Sequence, residues 1–221
     1  MENEEFIKNL PYWDDLSDKE KDLVAQRAVK VEFEKDEFID GFNDACLGMI
    51  YVVKGSVRVF ITSKEGREVT LFHIFEGDSC ILSASCVIGE ISLDVQLMAE
   101  DDTEILAVPA GTFSSLMDSN IHVKCFAYEL STKRFSTVVW VMQQILFDRF
   151  DERLARLLVG IYERTGDEKI KMTQEDMAKE VNSAREVVAR MLRQFADDGW
   201  VEINRGQITL TDIDALEDLF E

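Results

Sequence analysis

The side chains best suited to recognise another molecule lie near the C-terminus, in the segment TQEDMAKEVNSAREVVARMLRQF from Thr173 to Phe195. Arg185, Glu186 and Arg190 fall on one side of a predicted helix, away from its apolar stripe. A guanidinium group can donate two hydrogen bonds to guanine O6 and N7, and a glutamate carboxylate can accept one from cytosine N4. These residues are therefore suited to reading base edges in a DNA major groove.

Two short helices are predicted to hold these side chains. Thr173 precedes Asp176 by three residues, and Ser183 precedes Glu186 by three, which is the spacing of a capping box at a helix start. Asn182 lies at the break between the helices, and its tolerance of the left-handed conformation suits a sharp turn. The apolar residues that recur at helical spacing and can pack the two helices together are Met177, Ala178, Val181, Val188, Met191, Leu192 and Phe195.

The run SAREVVARML, which follows TQEDMAKEV, resembles the recognition unit of the Crp-Fnr superfamily of bacterial transcription regulators, roughly S-R-E-x-V-x-R-x-L. The resemblance implies base contacts for the two arginines and the glutamate, and phosphate contacts for Thr173 and Gln174. Ala184 stands where the family often has serine, which removes a hydroxyl that can contact DNA, and Asn182 stands where it often has glycine. The predicted DNA-binding residues are Thr173, Gln174, Ser183, Arg185, Glu186 and Arg190.

A wing is predicted directly after the second helix. In WVEINRGQITLTD, Trp200 to Ile203 and Gln207 to Leu210 are short strand-like runs about a turn that contains Arg205-Gly206. Without a wing, the two arginines could simply belong to a solvent-exposed helix face, and Glu186 could act only as a helix cap. With it, the sequence favours a winged helix-turn-helix that binds double-stranded DNA. A sensory module that binds another protein through the same domain remains the alternative.

Whether the net charge of −20 opposes DNA binding depends on where the charged residues lie along the chain. Residues 1 to 150 carry 14 basic and 27 acidic side chains, and residues 151 to 221 carry 10 and 17. The segment from Ala184 to Phe195 is nevertheless +2. Because the screening length is about 8 Å at physiological salt, local arginines can bind while the distant acidic surface is screened. We expect weak non-specific affinity and dependence on a correct site.

Length and composition narrow the class of protein. At 221 residues with 46% hydrophobic content, the chain is sufficient for one large or two small globular domains. The acidic start and the lack of an apolar run near ~20 residues predict a cytoplasmic protein without membrane contact. Four cysteines without a C-x-x-C pair suggest neither a zinc site nor a disulfide framework. A cupin-type enzyme needs clustered histidines, and with only His73 and His122 no enzyme activity is expected.

The N-terminal half predicts an α+β chain with an antiparallel roll. A capping box of Ser17 and Glu20 opens a helix, and short alternating runs with glycine turns extend from Val31 to Val108. The run LGMIYVVKGSVRVFITSKEGREVTLFHIFEGDS, with its hairpin tip at Lys64-Glu65-Gly66, is similar to the effector-sensing β-roll of the same superfamily, a double-stranded β-helix. The expected domains are a roll (1–120), a dimerisation helix with hinge (121–150) and a winged helix-turn-helix (151–221).

A long helix is predicted between the two domains, from about Ile121 to Phe147. It could be buried inside one subunit, but the family likeness favours a seam that pairs two subunits into a homodimer. The apolar side chains that follow coiled-coil spacing, and form the predicted dimer interface, are Phe135, Val138, Met142 and Ile145. Val139 and Leu146, beside the seam, are expected to pack on the roll.

The hinge and the operator follow from this arrangement. The stretch from Phe147 to Asp151 is expected to be the hinge, with Asp151 as the cap of the next helix. A two-fold dimer places two recognition helices about 34 Å apart in successive major grooves, so the operator should be a palindrome. RNA polymerase is a further possible partner, and the sequence does not distinguish activation from repression.

The effector of the predicted roll is unknown. Cyclic-nucleotide members of the superfamily use a Gly-Glu motif and, about ten residues later, an Arg-Ser pair. In this sequence Gly89-Glu90 is present, but Glu100 and Asp101 lie where the arginine is expected. No Lys or Arg occurs from 68 to 123. A buried phosphate would lack a local cation, so cyclic AMP is not expected. Basic residues from elsewhere, namely Arg58, Lys124 and Lys133, could still reach in. The predicted effector-binding residues are Gly77, Ser83, Ala84, Ser85, Gly89 and Glu90.

Two cysteines in this region leave a second sensing mode open. Cys80 and Cys86, with His73 as a further soft ligand, could bind a metal or haem or respond to oxidation. The favoured interpretation is that they are buried structural thiols, which is the commoner state of free cysteines. Iron–sulfur members of the superfamily use an N-terminal cysteine cluster, and no cysteine occurs in the first 45 residues, so that cofactor is not expected.

Overall fold

A computed structural model of the chain describes residues 6–39, 48–64, 66, 68–81 and 95–220. The chain divides into two compact units. The N-terminal unit comprises Met1–Gly66 and Leu71–Val139, and the C-terminal unit comprises Arg67–Thr70 and Trp140–Glu221. Within the described residues, no helix is both long enough and apolar enough to cross a lipid bilayer.

In the N-terminal unit, the described strands form two sheets, with strand orders β1-β7-β2-β5 and β4-β3-β6. The pairs β1–β7, β2–β7, β2–β5 and β3–β6 are antiparallel, which confirms the predicted antiparallel domain. The strands are β1 (Val29–Phe33), β2 (Met49–Lys54), β3 (Ser56–Thr62), β4 (Glu68–Phe75), β5 (Ser79–Cys80), β6 (Gln96–Ala99) and β7 (Thr103–Val108). The helical elements are the 3-10 turns Ile7–Asn9 and Trp13–Asp15, and α1 (Asp18–Arg27), α2 (Ala110–Ser119) and α3 (Ile121–Phe147). Helix α3 belongs to this unit as far as Val139 and to the C-terminal unit from Trp140 onward.

A close backbone approach requires glycine at the start of β2. Met49 pairs with Val108 at the end of β7. Gly48, just before it, has a φ of 78°, and a Cβ at this position would lie 2.1 Å from the carbonyl oxygen of Val108. Any larger residue would clash with backbone as well as occupy a left-handed conformation. Gly48 therefore fixes how the sheet begins.

The capping box at α1 is present as predicted. The backbone N–H of Ser17 donates to the Glu20 carboxylate over 2.9 Å, and the hydroxyl donates to the same oxygen over 2.7 Å. These bonds, with others from Ser119 and Asn120, lower the pKa of Glu20 to about 2. A carboxylate that stays ionised to low pH holds the helix start in place.

The long helix α3 occupies the predicted range, Ile121–Phe147. Its buried residues are Val123, Ala127, Ser131 and Arg134, which recur every three or four positions and so form one face. A helix with one buried face and several exposed apolar residues is typical of an element that packs on its own domain and on a further partner.

The C-terminal unit is a helical domain with a small sheet ordered β8-β10-β9. After the end of α3, its elements are α4 (Phe150–Thr165), β8 (Lys169–Ile170), α5 (Gln174–Glu180), α6 (Arg185–Asp197), β9 (Val201–Asn204), β10 (Gln207–Leu210) and α7 (Ile213–Glu217). Its core includes Leu154, Leu158, Met177, Val188, Leu192, Phe195 and Ile208. The helix-turn-helix and the wing were predicted, whereas β8 and α7 were not.

The start of α4 differs from the prediction. Arg149, not Asp151, is the N-cap residue, and its backbone N–H donates to the Glu152 carboxylate over 3.2 Å. Asp151 lies inside the first turn and pairs with the Arg149 guanidinium at 2.8 Å. The helix therefore begins earlier than the Asp151 cap implied, and within the predicted hinge only Asp148 and Arg149 are non-helical.

Candidate nucleic-acid interface

The first short helix begins with the predicted cap. The Thr173 hydroxyl oxygen accepts from the backbone N–H of Asp176 over 3.1 Å, and the hydroxyl donates to the Asp176 carboxylate over 2.6 Å. Thr173 is exposed and Gln174 is half-buried. Both residues therefore lie at the start of α5, where the sequence predicted phosphate contacts.

The second predicted cap is wrong. Helix α6 begins at Arg185, its N-cap residue is Ala184, and no side chain caps it. Ser183 instead closes the preceding turn, because its backbone N–H donates to the carbonyl oxygen of Ala178 over 2.9 Å. Asn182 adopts the expected left-handed conformation, with a φ of 53°. The turn takes one more residue than the cap spacing implied, which leaves Ser183 half-buried before the helix.

Helix α6 separates an apolar face from a basic one. Val188, Leu192 and Phe195 are buried in the core, whereas Arg185 and Arg190 are exposed. Glu186 is also exposed, beside Arg185. Neither arginine forms an ion pair with a described residue. Their guanidinium groups are therefore presented to solvent with their donors available.

Sequence reasoning missed one further cation on this face. Arg193 is exposed and follows Arg190 by three positions, so it lies one turn further along the same side of α6. The sequence could have predicted this position, because residues i and i+3 of a helix are neighbours. Arg205 is also exposed, at the tip of the wing beside Gly206, which has a φ of 75°. The basic surface thus extends beyond the predicted residues.

The predicted dimer seam is partly exposed. Phe135 is 70% exposed and Met142 is 53% exposed, whereas Val138 and Ile145 are half-buried. Leu146, expected to pack on the roll, is 63% exposed, so that expectation is wrong. The helix phase explains the difference: Leu146 follows Met142 by one turn and shares its outward face. The large apolar residues of α3 that are exposed are Ile121, Tyr128, Phe135, Trp140, Met142, Leu146 and Phe147.

Most of the predicted effector-binding residues lie outside the described residues. These are Ser83, Ala84, Ser85, Gly89 and Glu90. Gly77 is described, and it follows β4 with a φ of 87°. Of the candidate metal or redox residues, Cys86 is also outside the described residues, and Cys80 is buried in β5.

His73 contacts a carboxylate. Its Nδ1 lies 2.7 Å from Oε2 of Glu100. Burial acts to raise the pKa of Glu100, but hydrogen bonds and charges from His73, Ser56 and Arg58 outweigh it, and the pKa lies below its usual value. A nitrogen of the imidazole ring is therefore engaged by an ionised carboxylate.

Two arginines are buried in the N-terminal unit. Arg58, on β3, is 3% exposed and its guanidinium carbon lies 4.5 Å from the ring centre of Phe60. Arg134, on α3, is 6% exposed and stacks 4.6 Å from the ring centre of Phe72. Its Nη2 donates to the carbonyl oxygen of Ser79 over 3.1 Å, and its Nε has no acceptor in the part of the chain that the structure describes. Arg58 was among the named candidates for a cation that reaches the roll, whereas Arg134 was missed.

A winged helix-turn-helix with an exposed basic recognition helix, combined with an antiparallel sheet domain, defines a class of DNA-binding regulator. Residues 30–120 match the cyclic nucleotide-binding domain, and residues 152–219 match the Crp-like helix-turn-helix domain. The chain is 36% identical to a Crp/Fnr-family protein of Eubacterium rectale, with 96% of this chain and 98% of that one covered and a TM-score of 0.89.

More distant relatives extend the same likeness. The cyclic AMP receptor protein of Thermus thermophilus is 22% identical over 213 residues, which covers 96% of this chain and 98% of that relative. FixK2 of Bradyrhizobium japonicum is 21% identical, with 88% and 98% covered and a TM-score of 0.70, and shares the fold. The chain belongs to the Crp/Fnr family of transcriptional regulators. It is a DNA-binding regulator of transcription and not an enzyme.

Proposed function

We propose that the protein is a homodimeric, cytoplasmic regulator that binds a palindromic operator through α6 of each subunit. Arg185, Glu186 and Arg190 read base edges, and Thr173, Gln174 and Ser183 contact the backbone of double-stranded DNA. The observation that carries this proposal is the exposure of the two arginines opposite a fully packed apolar face. RNA polymerase is the expected partner at the promoter.

Loss of the two arginines tests the DNA contact. Each forked arginine–guanine pair contributes about 1–3 kcal/mol, so Arg185→Ala with Arg190→Ala should weaken operator binding by about two orders of magnitude or more. The operator is first selected from a random DNA pool, and affinity is measured by fluorescence anisotropy at fixed salt. Lys19→Ala with Arg27→Ala, which removes the same charge from exposed positions on α1, is the matched control. Unchanged affinity in the arginine variant would favour a protein-binding module instead.

Dimerisation through α3 is supported by its exposed apolar residues. Phe135 and Met142 are exposed and seven residues apart, as positions of one coiled-coil seam must be. Phe135→Glu with Met142→Glu should yield a folded monomer that no longer binds the palindrome, because four carboxylates would face one another in the dimer. Lys133→Glu, at an exposed position of the same helix, is the control. A variant that remains dimeric in analytical ultracentrifugation would contradict the proposed interface.

We infer that the roll senses a small molecule other than cyclic AMP. The acidic pair Glu100 and Asp101, in place of the family's arginine region, supports this inference. Arg134, with a buried Nε that lacks an acceptor, is a residue that an acidic or acceptor group of the effector could engage. Titration with cyclic AMP should leave both the melting temperature and operator affinity unchanged, and a saturable increase in either would refute the inference.

The alternative is a redox- or metal-sensing regulator that uses Cys80, Cys86 and His73. Cys80 is buried and His73 is engaged by Glu100. The test for this alternative is an absorption spectrum and metal analysis of the purified protein. A haem band or a stoichiometric metal would replace the small-molecule proposal.

A further inference from the structure

A pocket of about 170 Å³ lies within the C-terminal unit, where α3 ends and α4 begins. Its walls come from the end of α3, from α4, from Glu180 at the end of α5 and from the two residues that follow it. We call it the hinge pocket. Trp140, Ile145 and Leu157 give it apolar surface. At about 30 Å³ for each water-sized group, it can hold a small organic molecule.

The polar lining of the hinge pocket consists mainly of hydrogen-bond donors. Gln144, Arg153 and Arg156 all line it. The Nε2 of Gln144 and the Nε atoms of both arginines are buried and have no hydrogen-bond partner among the described residues. Buried donors without acceptors are costly and uncommon in native proteins. All three nitrogens belong to residues that line the pocket, and an acceptor group that reached them would satisfy them.

The two guanidinium groups are held in place by their other donors. Nη1 of Arg153 donates to the carbonyl oxygens of Gln144 and Asp148 over 3.3 and 3.2 Å, which anchors it to the end of α3. Nη2 of Arg156 donates to the Asp148 carboxylate over 3.2 Å. The Arg156 guanidinium also stacks 4.8 Å from the ring centre of Phe220. The arginines are thus fixed with their Nε groups still to be satisfied.

The charges around the hinge pocket favour an acidic ligand over a neutral hydrogen-bond acceptor. Arg156 is balanced by Asp148, but among the described residues Arg153 has no carboxylate within ion-pair distance. The carbonyl groups at the end of α3 supply only a partial negative charge. Glu180, on the lining at the end of α5, disfavours a ligand of high negative charge. A single carboxylate meets these conditions and can accept from several donors at once.

We propose that the hinge pocket binds a small organic carboxylate, whose oxygens accept from Gln144, Arg153 and Arg156 while its apolar body lies against Trp140 and Leu157. The three nitrogens are not accessible to solvent, so the proposal includes a movement of the half-buried Gln144 side chain when the carboxylate binds. The site is separate from the effector site expected in the N-terminal unit and does not depend on the proposed dimer.

The test measures benzoate binding to the full-length protein at constant ionic strength, by saturation-transfer NMR. Benzamide, with the same shape and no charge, and inorganic phosphate are titrated in parallel. Benzoate should saturate, benzamide should bind at least tenfold more weakly, and phosphate should not compete. Absence of saturation by benzoate, equal binding of benzamide, or tighter binding of phosphate would each overturn the proposal.

A pair of neighbouring glutamines supplies the matched variants. Gln144→Glu places a carboxylate beside the two arginines, so it should raise the melting temperature by a few degrees and weaken benzoate binding at least tenfold. Gln143→Glu makes the same change at the exposed neighbouring position and should leave both measurements unchanged. Equal benzoate affinity in the two variants would place the ligand elsewhere and refute the proposal.

Discussion

Helix α6 of the C-terminal unit and the core of the N-terminal unit place their arginines in opposite environments. In the C-terminal unit, Arg185, Arg190 and Arg193 are exposed on one side of α6. In the N-terminal unit, Arg58 and Arg134 are almost fully buried against aromatic rings. An exposed cation can be neutralised by a large polyanion such as DNA, whereas a buried one needs an acceptor from the protein or from a small ligand. Under the proposed function, the arginine side chain therefore serves the recognition of two different kinds of partner.

The two units also differ in the structural reason for glycine at a left-handed position. This difference predicts the largest change in unfolding free energy. Gly48→Ala in the N-terminal unit would force a Cβ to 2.1 Å from a backbone oxygen, whereas Gly206→Ala in the wing meets only open space. We expect a loss of about 3 kcal/mol or more in unfolding free energy for the first and about 1–2 kcal/mol, the left-handed strain alone, for the second.

The unfolding free energy of both glycine variants is measured by urea denaturation. Gly111→Ala, in α2 and with open space around its Cβ position, is the control within the same unit and should not destabilise the protein. If the variants at Gly48 and Gly206 lost equal stability, close packing would not be what distinguishes the two glycines.

Replacing one arginine of each kind tests the comparison directly. Arg134→Met removes a buried charge whose Nε lacks an acceptor and should leave stability unchanged or raise it by about 1–4 kcal/mol, because apolar replacement relieves desolvation. Arg190→Met, at an exposed position, should change it by less than about 0.5 kcal/mol. The measurement is thermal unfolding without ligand. Clear destabilisation by Arg134→Met would mean that the buried charge is already compensated within the protein.

A smaller effect than at Gly48 is expected at the helix starts of the C-terminal unit. Helix α5 has a hydroxyl cap at Thr173, and α6 has only Ala184. Ala184→Ser should therefore stabilise the C-terminal unit by about 0.5–1 kcal/mol, and Thr173→Ala should destabilise it by about 1 kcal/mol. Differential scanning calorimetry can resolve the two opposite shifts. A neutral Ala184→Ser would indicate that the backbone at this position cannot direct a hydroxyl to the helix start.

The sequence correctly predicted helix ends and turns where these depend only on residues that are close in the chain. The range of α3, the caps at Ser17 and Thr173 and the turn at Arg205-Gly206 all agree with the structure. Each rests on helical periodicity, on a side chain that bonds three residues away, or on turn chemistry. The predicted caps at Ser183 and Asp151 failed because a capping motif competes with the turn or hinge that precedes it, and the register of that turn or hinge is set by packing.

The sequence by itself determined the class of the protein, because a recognition helix exposes its working residues and their spacing is enough to place them on one side. Only the tertiary structure decided which cations enter the interior. Lys133 was named as a candidate and is exposed, while its neighbour Arg134 is buried. One residue along a helix is a rotation of about 100°, and which side faces the core is fixed by the sheet that packs against it. The hinge pocket is a tertiary feature for the same reason, since its donors come from helices that meet only in the folded chain.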